Sequence, residues 1–236
     1  MKHIRPYGIF EASAAATPAA LTPEQVEWLN ECTRSTGMGT WKLNHQTGEV
    51  DVFHGGFDCS GQDLSDFKGV RFGVIRGDFW CSYNRLKSLE GAPRDVRGDF
   101  WCPHNHLKSL VGSPQNVKSS FYCENNHLTS LVGAPQEVGW NFACGNNLLT
   151  SLEGAPRKVG YYFWCDDNPV SEKTLKSIFS RMNGGVSYLK VVESLWPKIP
   201  LEDQVLLYRP EFKWVGAEEA KKLQAVGRFN KIKGIL

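Results

Sequence analysis

The stretch GDFWCSYNRLKSLEGAPRDVR spans residues 77–97, and GDFWCPHNHLKSLVGSPQNVK, at residues 98–118, nearly repeats it. The repetition continues with a step of 21 residues as far as about residue 170. Its strictest columns are Phe79, Phe100, Phe121, Phe142 and Phe163; Cys81, Cys102, Cys123, Cys144 and Cys165; and Asn84, Asn105, Asn126, Asn147 and Asn168. A fixed period of this length predicts a solenoid, in which each repeat forms one coil that stacks on the next.

Each coil is expected to contain a short strand that buries its Phe and Cys. Because successive side chains of a strand point to opposite faces, Phe79 and Cys81 should face the core and Trp80 should face outward. An Asn amide both donates and accepts hydrogen bonds, which suits a buried bend, so we interpret the asparagine column as structural. Gly91 and Pro93, which also repeat, favour an extended path and exclude a helix on that side of the coil.

The unit also resembles a known repeat. The pattern F-x-C-x-x-N-x-L resembles the second half of the leucine-rich repeat L-x-x-L-x-L-x-x-N-x-L, with Phe and Cys in the two strand-core positions. The following L-x-S-L-x-G-x-P is similar to short bacterial leucine-rich repeats, and cysteine at this strand position resembles a group of repeat proteins of bacteriophages and bacteria. The resemblance covers about Phe57 to Val170. It implies an α/β solenoid of leucine-rich-repeat-like strand coils with extended convex segments.

The ends of a solenoid need protection, because the terminal coils would otherwise expose their core and an unpaired strand edge. Residues 1–56 are expected to supply an N-terminal cap, with a helix that begins after Thr22 and a hairpin in TWKLNHQTGEVDV. Residues 57–170 form the solenoid, with one degenerate coil and five regular coils. Residues 171–236 are expected to form a C-terminal helical cap, with helices near Ser171–Arg181, Tyr188–Trp196, Leu201–Tyr208 and Ala217–Val226.

Composition and charge exclude several classes of function. A net charge of +2 over 236 residues is too small to predict nucleic acid as the main partner. No apolar run is long enough to span a bilayer, and Arg5, Pro6 and Glu11 interrupt any secretion signal, so we expect a cytoplasmic protein. The seven cysteines are expected to be reduced and buried.

Chemistry-bearing motifs give little support to an enzyme or a metal site. The sequence contains no G-x-S-x-G, no phosphate-binding loop and no H-E-x-x-H, so we expect no catalytic residues and no cofactor. Cys102, His104, His106, Cys123 and His127 lie close in sequence. Strand alternation, however, sends Cys102 inward and His104 outward, so these side chains should diverge and we expect no metal.

The outward columns vary from coil to coil and are therefore the candidate partner-binding surface. The predicted binding residues are Trp80, Trp101, Tyr122, Trp164, Asp78, Asp99, Tyr83, His104, Glu124 and Asp166. Large rigid rings with a polar rim are typical of protein interfaces. The alternative is that the rings stack on one another and shield the sheet.

We therefore expect a non-enzymatic protein-binding module whose concave face grips a protein with a basic and apolar surface. The resemblance to phage proteins implies a phage-encoded inhibitor of a bacterial host or defence protein, acting in the host cytoplasm. Two alternatives stay open. One is a self-associating assembly factor, and the other is a carbohydrate-binding or ligand-binding solenoid that uses the tryptophan row.

Overall fold

The fold is known from a computed structural model, which describes residues 20–37, 39–165 and 167–170 and the backbone of residues 186–190. It contains one helix and thirteen strands within those residues. The elements are α1 (Pro23–Arg34), β1 (Thr40–Asn44), β2 (Glu49–His54), β3 (Phe57–Asp58), β4 (Phe72–Ile75), β5 (Phe79–Trp80), β6 (Asp95–Val96), β7 (Phe100–Trp101), β8 (Asn116–Val117), β9 (Phe121–Tyr122), β10 (Glu137–Val138), β11 (Phe142–Ala143), β12 (Lys158–Trp164) and β13 (Val186–Lys190).

Two parallel ladders run along the stack. The phenylalanine ladder pairs β3, β5, β7, β9, β11 and the end of β12, with each Phe in register with the Phe one coil away. The valine ladder pairs β4, β6, β8, β10 and the start of β12, with Ile75, Val96, Val117, Val138 and Val159 in register. The two ladders join in β12, which runs unbroken through both positions. The molecule is therefore a β-solenoid with a repeat of two strands per coil.

The core lies between the ladders and is filled by the strict columns. The Phe, Cys and Val columns are buried almost completely, and so are two leucine columns of the repeat: Leu86, Leu107, Leu128 and Leu149; and Leu89, Leu110, Leu131 and Leu152. Neighbouring Phe rings lie 5.1–5.5 Å apart between centroids and are nearly parallel through the regular coils. Repetition thus brings each side chain against its own kind, which is why one sequence unit suffices to pack every coil.

The N-terminal elements pack on the first coil. Thr22 caps α1 in a capping box with Gln25, as the sequence predicts. Trp28 of α1 meets Phe57 edge-on, with ring centroids 5.3 Å apart. Strands β1 and β2 form the predicted antiparallel hairpin, and β2 pairs in parallel with β4. The degenerate coil is confirmed as well, because Phe57 pairs in register with Phe79.

The expectation of an α/β solenoid needs correction. The described residues contain a single helix, α1, which lies outside the coils, so the coils themselves are all β. The predicted helix from Tyr188 is wrong at its start, because residues 188–190 belong to β13, which pairs in parallel with β12. The residues Val186, Tyr188 and Leu189 favour a strand, and the edge of β12 offers unpaired backbone groups. The remaining predicted C-terminal helices lie outside the described residues.

Candidate protein-binding surface

The outer face of the phenylalanine ladder carries the predicted aromatic column. Trp80, Trp101, Tyr122 and Trp164 occupy equivalent positions in register and are half-buried. Ala143, which takes this position in the fourth coil, is fully buried although it points outward. Its ladder partners are Tyr122 and Trp164, so the neighbouring large side chains cover it.

The aromatic rings of this column make two different kinds of contact. The rings of Trp101 and Tyr122 stack with centroids 3.9 Å apart. Trp80 instead lies over Gly56, so closely that a Cβ on Gly56 would come within 2.7 Å of Cζ3 of Trp80. Part of each ring's area is therefore used inside the protein, and the remaining area is available to a partner.

Asp78 and Asp99 bond to the backbone of the next coil. Asp78 Oδ1 accepts a hydrogen bond from the Asp99 N–H at 2.6 Å, and Asp99 Oδ1 accepts one from the Ser120 N–H at 2.7 Å. Ser120 Oγ continues the series by accepting from the Asn141 N–H at 3.3 Å. The two carboxylates thus stabilise coil stacking, a role that sequence reasoning missed, since it shows only in three dimensions. Their negative charge is partly compensated by these amides.

Tyr83 and His104 lie at a turn, where the predicted outer strand face has already ended. Both have positive φ angles, of 56° and 54°, and so do Asn125, Asn146 and Asp167 at the equivalent positions. Asn and Asp tolerate this left-handed conformation, whereas bulky residues are rare there. The rings of Tyr83 and His104 stack 4.3 Å apart and are exposed, Tyr83 by 65%. The first two coils therefore place aromatic rings at a backbone position that favours Asn.

The remaining predicted residues are less informative. Glu124 is half-buried beside the aromatic column, with Oε2 inaccessible to solvent. Trp164 lies at the end of β12. Asp166 is outside the described residues.

The asparagine corner, formed by Asn84, Asn105, Asn126, Asn147 and Asn168, follows directly after this turn and is buried. Asn126 is representative: Oδ1 accepts from the Leu107 N–H at 3.0 Å, while Nδ2 lies 3.1 Å from the carbonyl oxygen of Cys102 and 3.2 Å from that of Cys123. One side chain thereby satisfies buried backbone groups of two adjacent coils at the bend that follows each strand. The same pattern recurs at the other members.

All seven cysteines are buried with free thiols. The Cys123 Sγ donates to the carbonyl oxygen of Ala143 in the next coil at 3.2 Å, and Cys102 does the same to Tyr122 at 3.3 Å. Burial raises the pKa of the Cys59, Cys81, Cys102 and Cys123 thiols well above the ordinary value, and that of Cys32 to about 11. These thiols stay protonated near neutral pH, which makes them poor nucleophiles.

Two further observations bear on the kinds of site present. Among residues 20–37, 39–165 and 167–170, no three His, Cys, Asp or Glu side chains converge as a metal site would require. In the same part of the chain the one helix, α1, has 12 residues, too few to cross a membrane.

Sequence reasoning also missed an exposed aromatic pair. Trp140 is 60% exposed and Tyr161 is 40% exposed, and their ring centroids lie 6.2 Å apart. They occupy a corner where the first two coils have Gly77 and Gly98. A search for departures from the repeat would have found them, since the exposed aromatics are substitutions at a small-residue position.

Comparison with known proteins assigns no family to the chain. No family model matches the chain, and neither the curated proteins nor the solved structures include a significant match. The class that the geometry defines is a β-solenoid of stacked 21-residue coils.

Proposed function

We propose that this β-solenoid is a non-enzymatic protein-binding module that uses the outer face of its phenylalanine ladder. The observation that carries the proposal is the row of half-buried aromatic side chains at Trp80, Trp101, Tyr122 and Trp164, on a sheet face whose inner side is packed by strict columns. A rigid array of rings offers apolar area without a large loss of side-chain entropy, which favours protein association.

The distribution of constraint along the repeat supports this function. The columns that hold the coils are uniform, whereas the outer column changes from Trp to Tyr to Ala and back to Trp. A face that only shielded the sheet would need no such variation, because one residue type would cover each coil equally well.

The resemblance to short leucine-rich repeats of bacteria and bacteriophages suggests where the partner should be sought. We take a bacterial cytoplasmic protein as the target, with inhibition of a host or defence protein as the biological outcome. Asp78 and Asp99 each use one oxygen to bond a backbone amide, so the case for a basic partner rests on the negative charge that these two carboxylates bring to this face.

Trp101→Ala tests the surface. Trp101 lies inside the aromatic row and stacks on Tyr122, so truncation should weaken binding of the partner by about thirtyfold, equivalent to about 2 kcal/mol. The experiment is affinity capture from bacterial lysate with quantitative mass spectrometry, followed by titration with the captured protein after purification. Loss of the ring stack should lower the unfolding free energy by only about 1 kcal/mol.

The matched control is Trp41→Ala, which removes a half-buried tryptophan from β1, away from the phenylalanine ladder. It should leave binding unchanged. Unaltered binding by Trp101→Ala and by the combined Trp80→Ala and Trp164→Ala variant would reject this face as the functional surface. Concentration-dependent self-association without a captured partner would instead indicate an assembly factor, and specific glycan binding would indicate a lectin-like role.

A further inference from the structure

The corner between the two ladders carries exposed side chains at two adjacent positions of the repeat. The first position has cations in three coils and glycine in the last two, and the second has small residues in the first three coils and aromatic rings in the last two. We call this corner the open corner and define it by Arg76, Arg97, Lys118, Trp140 and Tyr161. Backbone bonds keep its first members in register: the Arg97 N–H donates to the Ile75 carbonyl at 2.9 Å, and the Lys118 N–H donates to the Val96 carbonyl at 3.0 Å. At the second position, the Trp140 N–H donates to the Ser119 carbonyl at 2.9 Å and the Tyr161 N–H donates to the Trp140 carbonyl at 2.8 Å.

The first three coils make this corner cationic. Arg76, Arg97 and Lys118 are all exposed. Arg76 lies over the Phe53 ring at 5.2 Å, while Arg97 and Lys118 form no ion pair with any described residue. Like charges at equivalent positions of adjacent coils are unfavourable, because the coils are only about 4.8 Å apart. An anionic partner would relieve this repulsion.

The last two coils have glycine at the cationic position and place aromatic rings at the position directly after it. Trp140 is 60% exposed and Tyr161 is 40% exposed, with their ring planes inclined at 47°. Exposed rings of this size next to a charged row are typical of an interface that combines apolar anchors with ion pairs.

We propose that the open corner binds an amphipathic helix of a partner protein, with an acidic stripe on Arg76, Arg97 and Lys118 and apolar residues on Trp140 and Tyr161. This inference rests on the proposed protein-binding function and specifies the chemistry of the partner. At this part of the surface we expect an acidic partner segment instead of a basic one. The three cations are exposed, whereas Asp78 and Asp99 each bond a backbone amide.

The repeat length favours a helix over an extended peptide. Four coil steps of about 4.8 Å give a corner about 19 Å long. One face of a helix presents a side chain about every 5.4 Å. Over four coil steps, the positions of these side chains depart from those of the coils by about 2.4 Å. One face of an extended peptide presents a side chain about every 6.6 Å, and the accumulated mismatch with the coils is about 7 Å. Side-chain flexibility cannot compensate for a mismatch of that size at every coil.

A designed peptide tests the proposal on the full chain. The probe is an alanine-based helix of about 18 residues, with glutamates on three successive turns of one face and leucines on the next two turns. The control peptide has lysines in place of the glutamates, and a third probe is a single-stranded oligonucleotide. Binding is followed by fluorescence anisotropy of a label on each probe.

We expect the acidic peptide to bind and the lysine peptide to bind at least about tenfold more weakly. The double variant Arg97→Glu, Lys118→Glu should lose at least about tenfold in affinity, and Trp140→Ala should also weaken binding. The matched control is Lys87→Glu, Lys108→Glu, which reverses two exposed cations in adjacent coils at another position of the repeat and should leave binding unchanged.

Equal binding of both peptides, no binding of either, or equal losses in the two double variants would overturn the proposal. Preference for the oligonucleotide, lost in Arg97→Glu, Lys118→Glu, would overturn it in favour of a phosphate-binding corner. The captured partner separates this inference from the proposed function: binding that depends on Trp101 but not on Arg97 and Lys118 leaves the protein-binding module intact and removes the helix site.

Discussion

The two corners that flank the phenylalanine strands are built in opposite ways. At the asparagine corner, the same side chain recurs in all five regular coils and bonds the backbone of two coils at once. At the open corner, backbone groups of adjacent coils bond each other directly, and two adjacent side-chain positions vary. One changes from Arg to Lys to Gly, and the next changes from Gly to Ser and then to Trp and Tyr.

The difference separates two causes of repetition. At the asparagine corner, buried leucine N–H groups and cysteine carbonyl groups bond to side chains, and one amide supplies both the acceptor and the donor that they need. At the open corner, the N–H groups of Arg97, Lys118, Trp140 and Tyr161 bond to backbone carbonyls of the neighbouring coil, so the side chains at these positions are not needed to satisfy them and can vary. Strict columns should therefore govern stability, and variable columns should govern binding.

The largest expected effect is that of Asn126→Ala. The change removes the acceptor of the Leu107 N–H and the donors to Cys102 and Cys123, all of them buried. With each unsatisfied group costing about 1–3 kcal/mol, partly offset by water entry, we expect a loss of about 3 kcal/mol in unfolding free energy. Urea denaturation with an unchanged m-value would measure it.

The neighbouring residue provides the control. Asn125 has a positive φ of 55°, which glycine adopts freely, so Asn125→Gly removes a side chain at the same corner without backbone strain. We expect a change of no more than about 0.5 kcal/mol. Similar losses in the two variants would contradict the claim that the buried amide, and not the corner as a whole, is what stabilises the stack.

A smaller effect is expected within the cysteine column. Cys123→Ser places a more polar group in the core, although its hydroxyl has an acceptor in the Ala143 carbonyl that the thiol already uses. We expect a loss of about 1–2 kcal/mol in thermal or urea unfolding, and a smaller loss for Cys123→Ala, which leaves only a small void.

Cys32→Ser serves as the comparison, because the Cys32 Sγ already accepts a hydrogen bond from Gln62 Nε2 and a hydroxyl can take its place. It should be milder than Cys123→Ser. An unchanged stability of Cys123→Ser, or zinc bound in stoichiometric amount to the purified protein, would contradict a packing role for the column.

Much of the fold follows from the sequence because the period marks what is buried. The Phe, Cys, Leu and Val columns identify the core, and Thr22 with Gln25 identifies the start of α1. The valine ladder was not predicted as a strand, since strands such as Asp95–Val96 are too short to show alternation. The helix expected from Tyr188 was wrong because pairing with β12 is a tertiary effect that a local pattern does not contain.

The candidate surface was less accessible to sequence reasoning. Alternation correctly places Trp101 outward, but it cannot show that its ring stacks on Tyr122. Asn125 and Asn146 are residues that favour a left-handed turn, and they could have indicated one at this position of the repeat. Tyr83 and His104 gave no such indication, because aromatic residues rarely adopt this conformation. The roles of Asp78 and Asp99 depend on amides one coil away and are visible only once the coils are stacked.

The most direct test of the asparagine corner is amide hydrogen exchange of the unmodified protein, followed residue by residue by NMR. The N–H groups of Leu86, Leu107, Leu128 and Leu149 bond only to asparagine Oδ1 atoms in the stack. If these side chains hold the coils together, the four amides should exchange as slowly as the ladder amides of Phe100 and Phe121, which bond to backbone carbonyls. If these four amides exchange as fast as an unprotected loop amide while the phenylalanine ladder stays protected, the claim that the asparagine side chains hold the coils together is contradicted.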